Sequence, residues 1–207
     1  RADNCTISIE EIRRISRYCR QHNYKLHLDG ARLYMASAFT GVSIKEYSSY
    51  FDTVYISLYK YLGAAGGAIL CGDKEVIDKM RHLVKVHGGA VFGNWPNAVM
   101  ANHTLDGYEK RLREAKEKAG ELFALMNKAG VLKVRDLPGG TNLFTLQLLE
   151  GVSDEKFQAV LSKEFGIAVG RKGKDSLVRL KVNETLLYRD NNYILEAFVN
   201  AYGAASA

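Results

Sequence analysis

Asp52-Thr53-Val54-Tyr55-Ile56-Ser57-Leu58-Tyr59-Lys60-Tyr61-Leu62-Gly63-Ala64-Ala65-Gly66-Gly67-Ala68-Ile69-Leu70-Cys71 is the stretch that decides the fold of this 207-residue chain. Val54, Ile56 and Leu58 alternate with Thr53, Tyr55 and Ser57, the period of two that marks a strand. A lysine follows, then small residues and glycines, then a second apolar run from Gly67 to Cys71. The gap is too short for a crossover, so the second strand is expected to return antiparallel. Upstream, Lys25-Leu26-His27-Leu28-Asp29 reads as another short strand. About 30 residues separate the two strand ends, enough for the crossover that makes parallel neighbours. Ligands in open α/β sheets bind beyond the carboxyl ends of such strands. Asp29 and Lys60 each lie just past one, an acid and an amine aimed at the same edge. Arg32 follows within reach of the same crevice, and Gly30, Gly63, Gly66 and Gly67 let backbone approach a ligand closely.

Outward from this stretch the chain alternates helix and strand. Ser8-Ile9-Glu10-Glu11 is a capping-box pattern, and Ile9, Ile12, Ile15 and Cys19 recur at helical spacing to about His22. A helix followed by the strand ending at Asp29 is the second half of a βαβ unit. The 207 residues therefore read as the C-terminal part of something longer. Short helices are expected around Arg32–Ala38 and Ser43–Tyr50, and a longer one from Asp73 to about Val86 with Val76, Ile77, Met80 and Leu83/Val84 inward. Pro96 opens a long helix to about Asn127 with at most one break, near Asp106-Gly107. After it the rhythm changes. Strands are expected at Val131–Arg135, Thr141–Leu149, Ile167–Gly170 and Ser176–Val182, helices at Ser153–Phe165 and Asp190–Tyr202, and a loose tail from Ala204.

Composition narrows the function classes. Apolar residues make up 47% and charged residues 25%, ordinary for a globular protein. No run approaches the ~18 apolar residues of a membrane helix, and Arg1–Ser8 has no apolar signal region. Cys5, Cys19 and Cys71 show no C-x-x-C spacing, which points to free thiols in a reducing compartment, the cytoplasm. The net charge of +6 is spread over many segments and interleaved with acids, as in Arg111-Leu112-Arg113-Glu114-Ala115-Lys116-Glu117-Lys118. That is a solvated helix face rather than a nucleic-acid surface. His27, His82, His87 and His103 form no H-x-x-x-H pair, so no metal is expected.

The run His27-Leu28-Asp29-Gly30-Ala31-Arg32-Leu33, with Ser57-x-x-Lys60-x-Leu62-Gly63-Ala64-x-x-Gly67 downstream, resembles the threonine aldolase and β-eliminating lyase family. These are fold-type-I enzymes that use pyridoxal 5'-phosphate, and the resemblance covers nearly the whole chain. It implies an α/β fold. Residues 1–127 would be the C-terminal part of a mostly parallel cofactor-binding large domain with a long bridging helix, and 128–207 a small α+β domain. It also implies that Lys60 bonds to the cofactor aldehyde and that Asp29 pairs with its pyridine nitrogen, keeping the ring an electron sink. Arg32 would hydrogen-bond the ring's oxygen or its neighbours, and Ser57 and the Gly63 loop would help seat the phosphate. Arg179 matches the position that clamps the substrate carboxylate, a task suited to a bidentate guanidinium.

The expected activity is a lyase cleaving the Cα–Cβ bond of a β-hydroxy-α-amino acid to glycine and an aldehyde. β-Elimination on another amino acid, or a non-catalytic homologue, are the alternatives. The family also implies a homodimer or homotetramer completed by a preceding segment that carries the phosphate loop and a ring-stacking aromatic residue. Two departures stand out. Tyr59 replaces the small hydroxyl residue common before the lysine, and Gly88-Gly89-Ala90-Val91-Phe92-Gly93-Asn94-Trp95 replaces a G-G-G-M-R-Q segment.

Overall fold

The computed structural model describes residues 5–130, 132–149, 151–170, 172–173 and 175–206. It divides into two compact units, Ile7–Glu109 and the described part of 110–206 with 5–6.

In the first unit, α1 (Ile9–Gln21) starts where sequence chemistry says it should. The Ser8 hydroxyl accepts from the Glu11 N–H at 3.2 Å. Glu10 and Glu11 place negative charge against the positive end of the helix dipole. The chain continues through β1 (His27–Asp29), α2 (Leu33–Thr40), α3 (Ile44–Ser48), β2 (Thr53–Ser57) and β3 (Ala68–Gly72). β1 pairs parallel with β2, with His27 opposite Thr53 and Asp29 opposite Tyr55. β2 pairs antiparallel with β3, from Thr53 opposite Gly72 to Ser57 opposite Ala68. Both directions follow the expectation from connection length. One face of this sheet is buried: Leu28, Val54 and Ile56 pack with Ile12, Leu33 and Tyr47 of the three helices. His27 and Asp29 point to the other face and are exposed.

α4 (Lys74–Val86) departs from expectation. Its apolar stripe forms, yet Val76, Leu83 and Val84 are exposed and no residue of the helix is fully buried. Periodicity identifies which residues share a face, not what covers it. α5 (Trp95–Leu105) carries Pro96 in its first turn. Gly107, at φ 66°, separates it from α6 (Tyr108–Lys128), the break expected at Asp106-Gly107.

The second unit is a three-stranded antiparallel sheet in the order β4 (Leu132–Asp136), β5 (Leu143–Leu148), β6 (Val178–Lys181). It is packed by α7 (Asp154–Phe165), α8 (Asn191–Ser206) and the residues of α6 that belong to it. Leu146, Phe157, Leu161 and Ala197 are wholly buried. Burying each large apolar side chain of this core contributes about 1.5–3 kcal/mol relative to leaving it exposed. Of the strand expected to start at Val131, that residue lies outside the described residues. No strand forms over 167–170. That segment runs beside β6, giving the Gly170 N–H to the Arg179 carbonyl at 2.8 Å, but Gly166 at φ 66° and the absence of consecutive pairing there keep it irregular. Residues 204–206 are helical rather than loose: α8 continues to Ser206, with Ala205 buried in the core and its carbonyl accepting from the Ser153 N–H at 3.1 Å. A 3-10 helix, Glu184–Tyr188, precedes α8. Among the described residues, no helix is long and apolar enough to cross a membrane.

Candidate active site

Asp29 is the last residue of β1, and Lys60 follows shortly after Ser57 ends β2. Since the two strands are adjacent and parallel, both residues emerge at one carboxyl edge of the sheet. The chain turns sharply after Asp29. Its carboxylate accepts from the Ala31 N–H at 3.3 Å, and the Gly30 N–H donates to the Leu28 carbonyl at 2.9 Å. Gly30 is buried against the neighbouring strand, and a Cβ there would lie 2.7 Å from the Tyr55 carbonyl oxygen. Asp29 thus sits on a rigid corner.

Lys60 is held by a loop whose apolar residues plug the interior. Leu58, Leu62 and Ala64 are buried while Lys60 is half-buried between them. The Leu58 N–H donates to the Gly67 carbonyl at 3.1 Å, extending the β2–β3 pairing past the strand end. α5 clasps the glycines from the other side. The Gly66 N–H donates to the Asn97 side chain at 3.2 Å, and the Asn97 amide donates to Asn94 at 2.8 Å. Gly63, at φ 73°, has no room for a side chain because its Cβ would lie 2.8 Å from the Thr104 hydroxyl. Asn94, Asn97 and Thr104 went unrecognised in the sequence. The available signal was a pair of asparagines flanking the Pro96 helix start, which reads equally well as an ordinary cap.

Three tyrosines surround the candidate residues. The Lys60 ammonium stands 5.6 Å from the centre of the Tyr59 ring, so the residue that departs from the family pattern contacts the lysine itself. Tyr55 sits beside Asp29 across the parallel pair. A hydrogen bond with Tyr59, then burial, then the nearby charges of Tyr59 and Asp29 push the Tyr55 phenol above its ordinary range. Arg32 donates from Nε to the Tyr61 hydroxyl at 3.2 Å, with its guanidinium carbon 5.8 Å from the ring centre. His27 Nδ1 lies 2.9 Å from the Thr53 hydroxyl, fixing the imidazole on the exposed face with Asp29. Ser57 is buried, and its hydroxyl donates to the Ala31 carbonyl at 3.3 Å. That bond ties the turn after β1 to the end of β2.

Arg179 belongs to the second unit, on β6. Its terminal nitrogens donate to both carboxylate oxygens of Asp175, at 2.7 and 3.2 Å. It also lines a cavity of about 960 Å³ with Leu122, Phe165, Ile167, Leu180 and Phe198. An exposed strand arginine would be the ordinary expectation; here the side chain is only 21% accessible.

The profile of the beta-eliminating lyase family matches residues 5–148. A low-specificity L-threonine aldolase of Candida albicans is 42% identical over 142 residues, 69% of this chain and 37% of that protein. One from Eremothecium gossypii is 31% identical over 191 residues, 92% of this chain and 49% of that protein. The chain therefore spans half or less of the length of these two curated relatives. Among solved structures, a candidate aromatic amino acid beta-eliminating lyase/threonine aldolase from Exiguobacterium sp. 255-15 superposes with a TM-score of 0.79 at 26% identity, covering 96% of this chain and 58% of that one. A candidate L-allo-threonine aldolase from Listeria monocytogenes gives 0.76 at 25%, covering 97% and 56%. The parallel pair that aims Asp29 and Lys60 at one edge is thus set in an established fold, and this chain belongs to the beta-eliminating lyase family.

Proposed function

We propose that this chain carries the lysine and aspartate of a pyridoxal-phosphate-dependent lyase. It would cleave the Cα–Cβ bond of a β-hydroxy-α-amino acid to glycine and an aldehyde. The observation that carries the reading is the emergence of Asp29 and Lys60 from the carboxyl ends of neighbouring parallel strands. The residues fit the cofactor chemically. A primary amine, a carboxylate and a guanidinium lie on the turns at one sheet edge, where Gly30 and Gly63 leave no room for a side chain. Pyridoxal phosphate, when bound, supplies an electron-accepting ring that lets a bond at Cα break heterolytically.

The roles of this chain's own residues follow. Asp29 holds a proton on the ring nitrogen by keeping its carboxylate fixed through the Ala31 N–H. Lys60 would hold the cofactor through its primary amine. The centre of the Tyr59 ring lies 5.6 Å from the Lys60 ammonium, a cation–π contact. Arg32, oriented by Tyr61, would hydrogen-bond the cofactor ring's oxygen or its neighbours. Ser57 and the Gly63 loop would help seat the phosphate. The Ser57 hydroxyl donates a hydrogen bond to the Ala31 carbonyl, which steadies the Gly30–Ala31 turn. Arg179 is assigned the substrate carboxylate. The catalytic base is assigned to no residue of this chain.

The test is product analysis with the protein produced from its complete gene. Incubation with L-threonine and L-allo-threonine is expected to release glycine and acetaldehyde in equal amounts, and Lys60→Ala to abolish release. Pyruvate or another 2-oxo acid with ammonia would instead assign β-elimination, the reaction in the family's name. Neither product set, from cofactor-loaded protein, would overturn the enzyme reading.

A further inference from the structure

Arg179 does not wait for a carboxylate; it already holds one. Asp175 presents Oδ1 and Oδ2 to the two terminal nitrogens of the guanidinium, the two-pronged geometry by which arginine grips any carboxylate. Several features of the turn build this contact. Asp175 Oδ1 also accepts from the Leu177 N–H at 3.2 Å. The Ser176 N–H donates to the Gly173 carbonyl at 3.1 Å with Ser176 itself at φ 62°, a conformation that non-glycine residues adopt at a cost. Gly173 provides the space: a Cβ there would lie 2.6 Å from Asp175 Oδ1 and 3.3 Å from an Arg179 terminal nitrogen. Lys172 pairs with Asp154, at 2.9 Å. Asp175 is 44% accessible on its side chain and sits beside an arginine that lines the 960 Å³ cavity, so an incoming ligand can reach the pair.

We propose that Asp175 is an internal competitor for the substrate carboxylate: substrate binds Arg179 by displacing Asp175, and the aspartate returns to the guanidinium when product leaves. This rests on the assignment of Arg179 as the carboxylate clamp. The competitor sets substrate affinity without touching the reacting atoms. It keeps the guanidinium neutralised and oriented between turnovers. The cost of displacement falls on binding alone, because the pair is already open once substrate is bound. The Arg179 hydrogen bonds hold the Asp175 carboxyl below the ordinary range, as a true partner would.

The test uses the cofactor-loaded protein from its complete gene. Asp175→Asn is expected to lower KM about two- to fivefold with kcat unchanged, the range for removing a solvent-accessible ion pair from competition. A readout independent of turnover is the titration of the Asp175 carboxyl by NMR: saturating glycine, which carries the same carboxylate, is expected to raise its midpoint. A raised or unchanged KM in Asp175→Asn, or a midpoint indifferent to glycine, overturns the competitor role when Arg179→Gln still raises KM. If Arg179→Gln leaves KM unchanged, the clamp assignment itself fails.

Discussion

Replacing Gly30 with alanine tests the close approach that fixes Asp29. The added methyl would lie 2.7 Å from the Tyr55 carbonyl oxygen and 3.4 Å from both Leu33 Cβ and Val54 Cγ1. Tyr55 cannot retreat, because it is laddered to Asp29 on one side and Leu70 on the other. The end of β1 must therefore move out by roughly 0.6–0.9 Å to reach an ordinary carbon–oxygen separation. Overpacking of this kind costs about 1–3 kcal/mol, which outweighs the ~0.4–1 kcal/mol gained by stiffening the unfolded chain. The expected result is a melting temperature lowered by roughly 5–15 °C for a unit of this size, read by circular dichroism and checked by urea unfolding. Gly120→Ala is the control. It lies within α6 with nothing within 4 Å of its Cβ, so the same change there is expected to stabilise by about 0.5–1 kcal/mol. Equal melting of Gly30→Ala and wild type, or a rise matching Gly120→Ala, would refute the crowded corner and the rigid placement of Asp29 that depends on it.

Leu146→Ala, at a fully buried site in the centre of the second sheet, is expected to cost about 2–5 kcal/mol in urea unfolding. A loss below about 1 kcal/mol would mean the core is loosely packed. Asp52→Asn tests a pH dependence. The Leu26 N–H at 2.9 Å and Lys25 at 2.8 Å hold the Asp52 carboxyl below its ordinary range. A lowered folded value gives stability that is fully present above about pH 4 and is lost as pH falls through that value. The variant is therefore expected to be less stable at pH 7 by no more than about 1 kcal/mol, since solvent screens the pair, with the gap to wild type closing in acid. A gap that stays constant down to pH 2 would contradict the linkage.

Much of the topology was legible because chain length constrains it. The long connection from Asp29 to Lys60 permits a parallel pair and the short one from Lys60 to Gly67 forbids it, and both outcomes are seen. The break at Asp106-Gly107 was legible because a glycine there adopts a positive φ that ends a helix cleanly. Tertiary partners were not legible. Nothing in sequence spacing links Gly63 to Thr104, Gly66 to Asn97 or Arg32 to Tyr61, contacts that join residues far apart in the chain. The same limit explains α4, whose stripe was read as inward although Val76 and Val84 are exposed. It explains 167–170 too, where an extended apolar run approaches β6 without forming a ladder. Of the candidate residues, Asp29 and Arg32 are proposed from the His27–Leu33 run and Lys60 from the Ser57–Gly67 run downstream. Asp175 was not legible, because an aspartate in a glycine-rich turn looks like any other turn residue.

The central claim is that Lys60 is the residue that attaches the cofactor. The direct measurement is borohydride reduction of the protein, produced from its complete gene and loaded with pyridoxal phosphate, followed by peptide mass spectrometry. The account predicts one stable cofactor adduct, on the peptide containing Tyr59-Lys60-Tyr61, absent in Lys60→Ala and weakened in Asp29→Asn. An adduct on another lysine, or none at saturating cofactor, would contradict it.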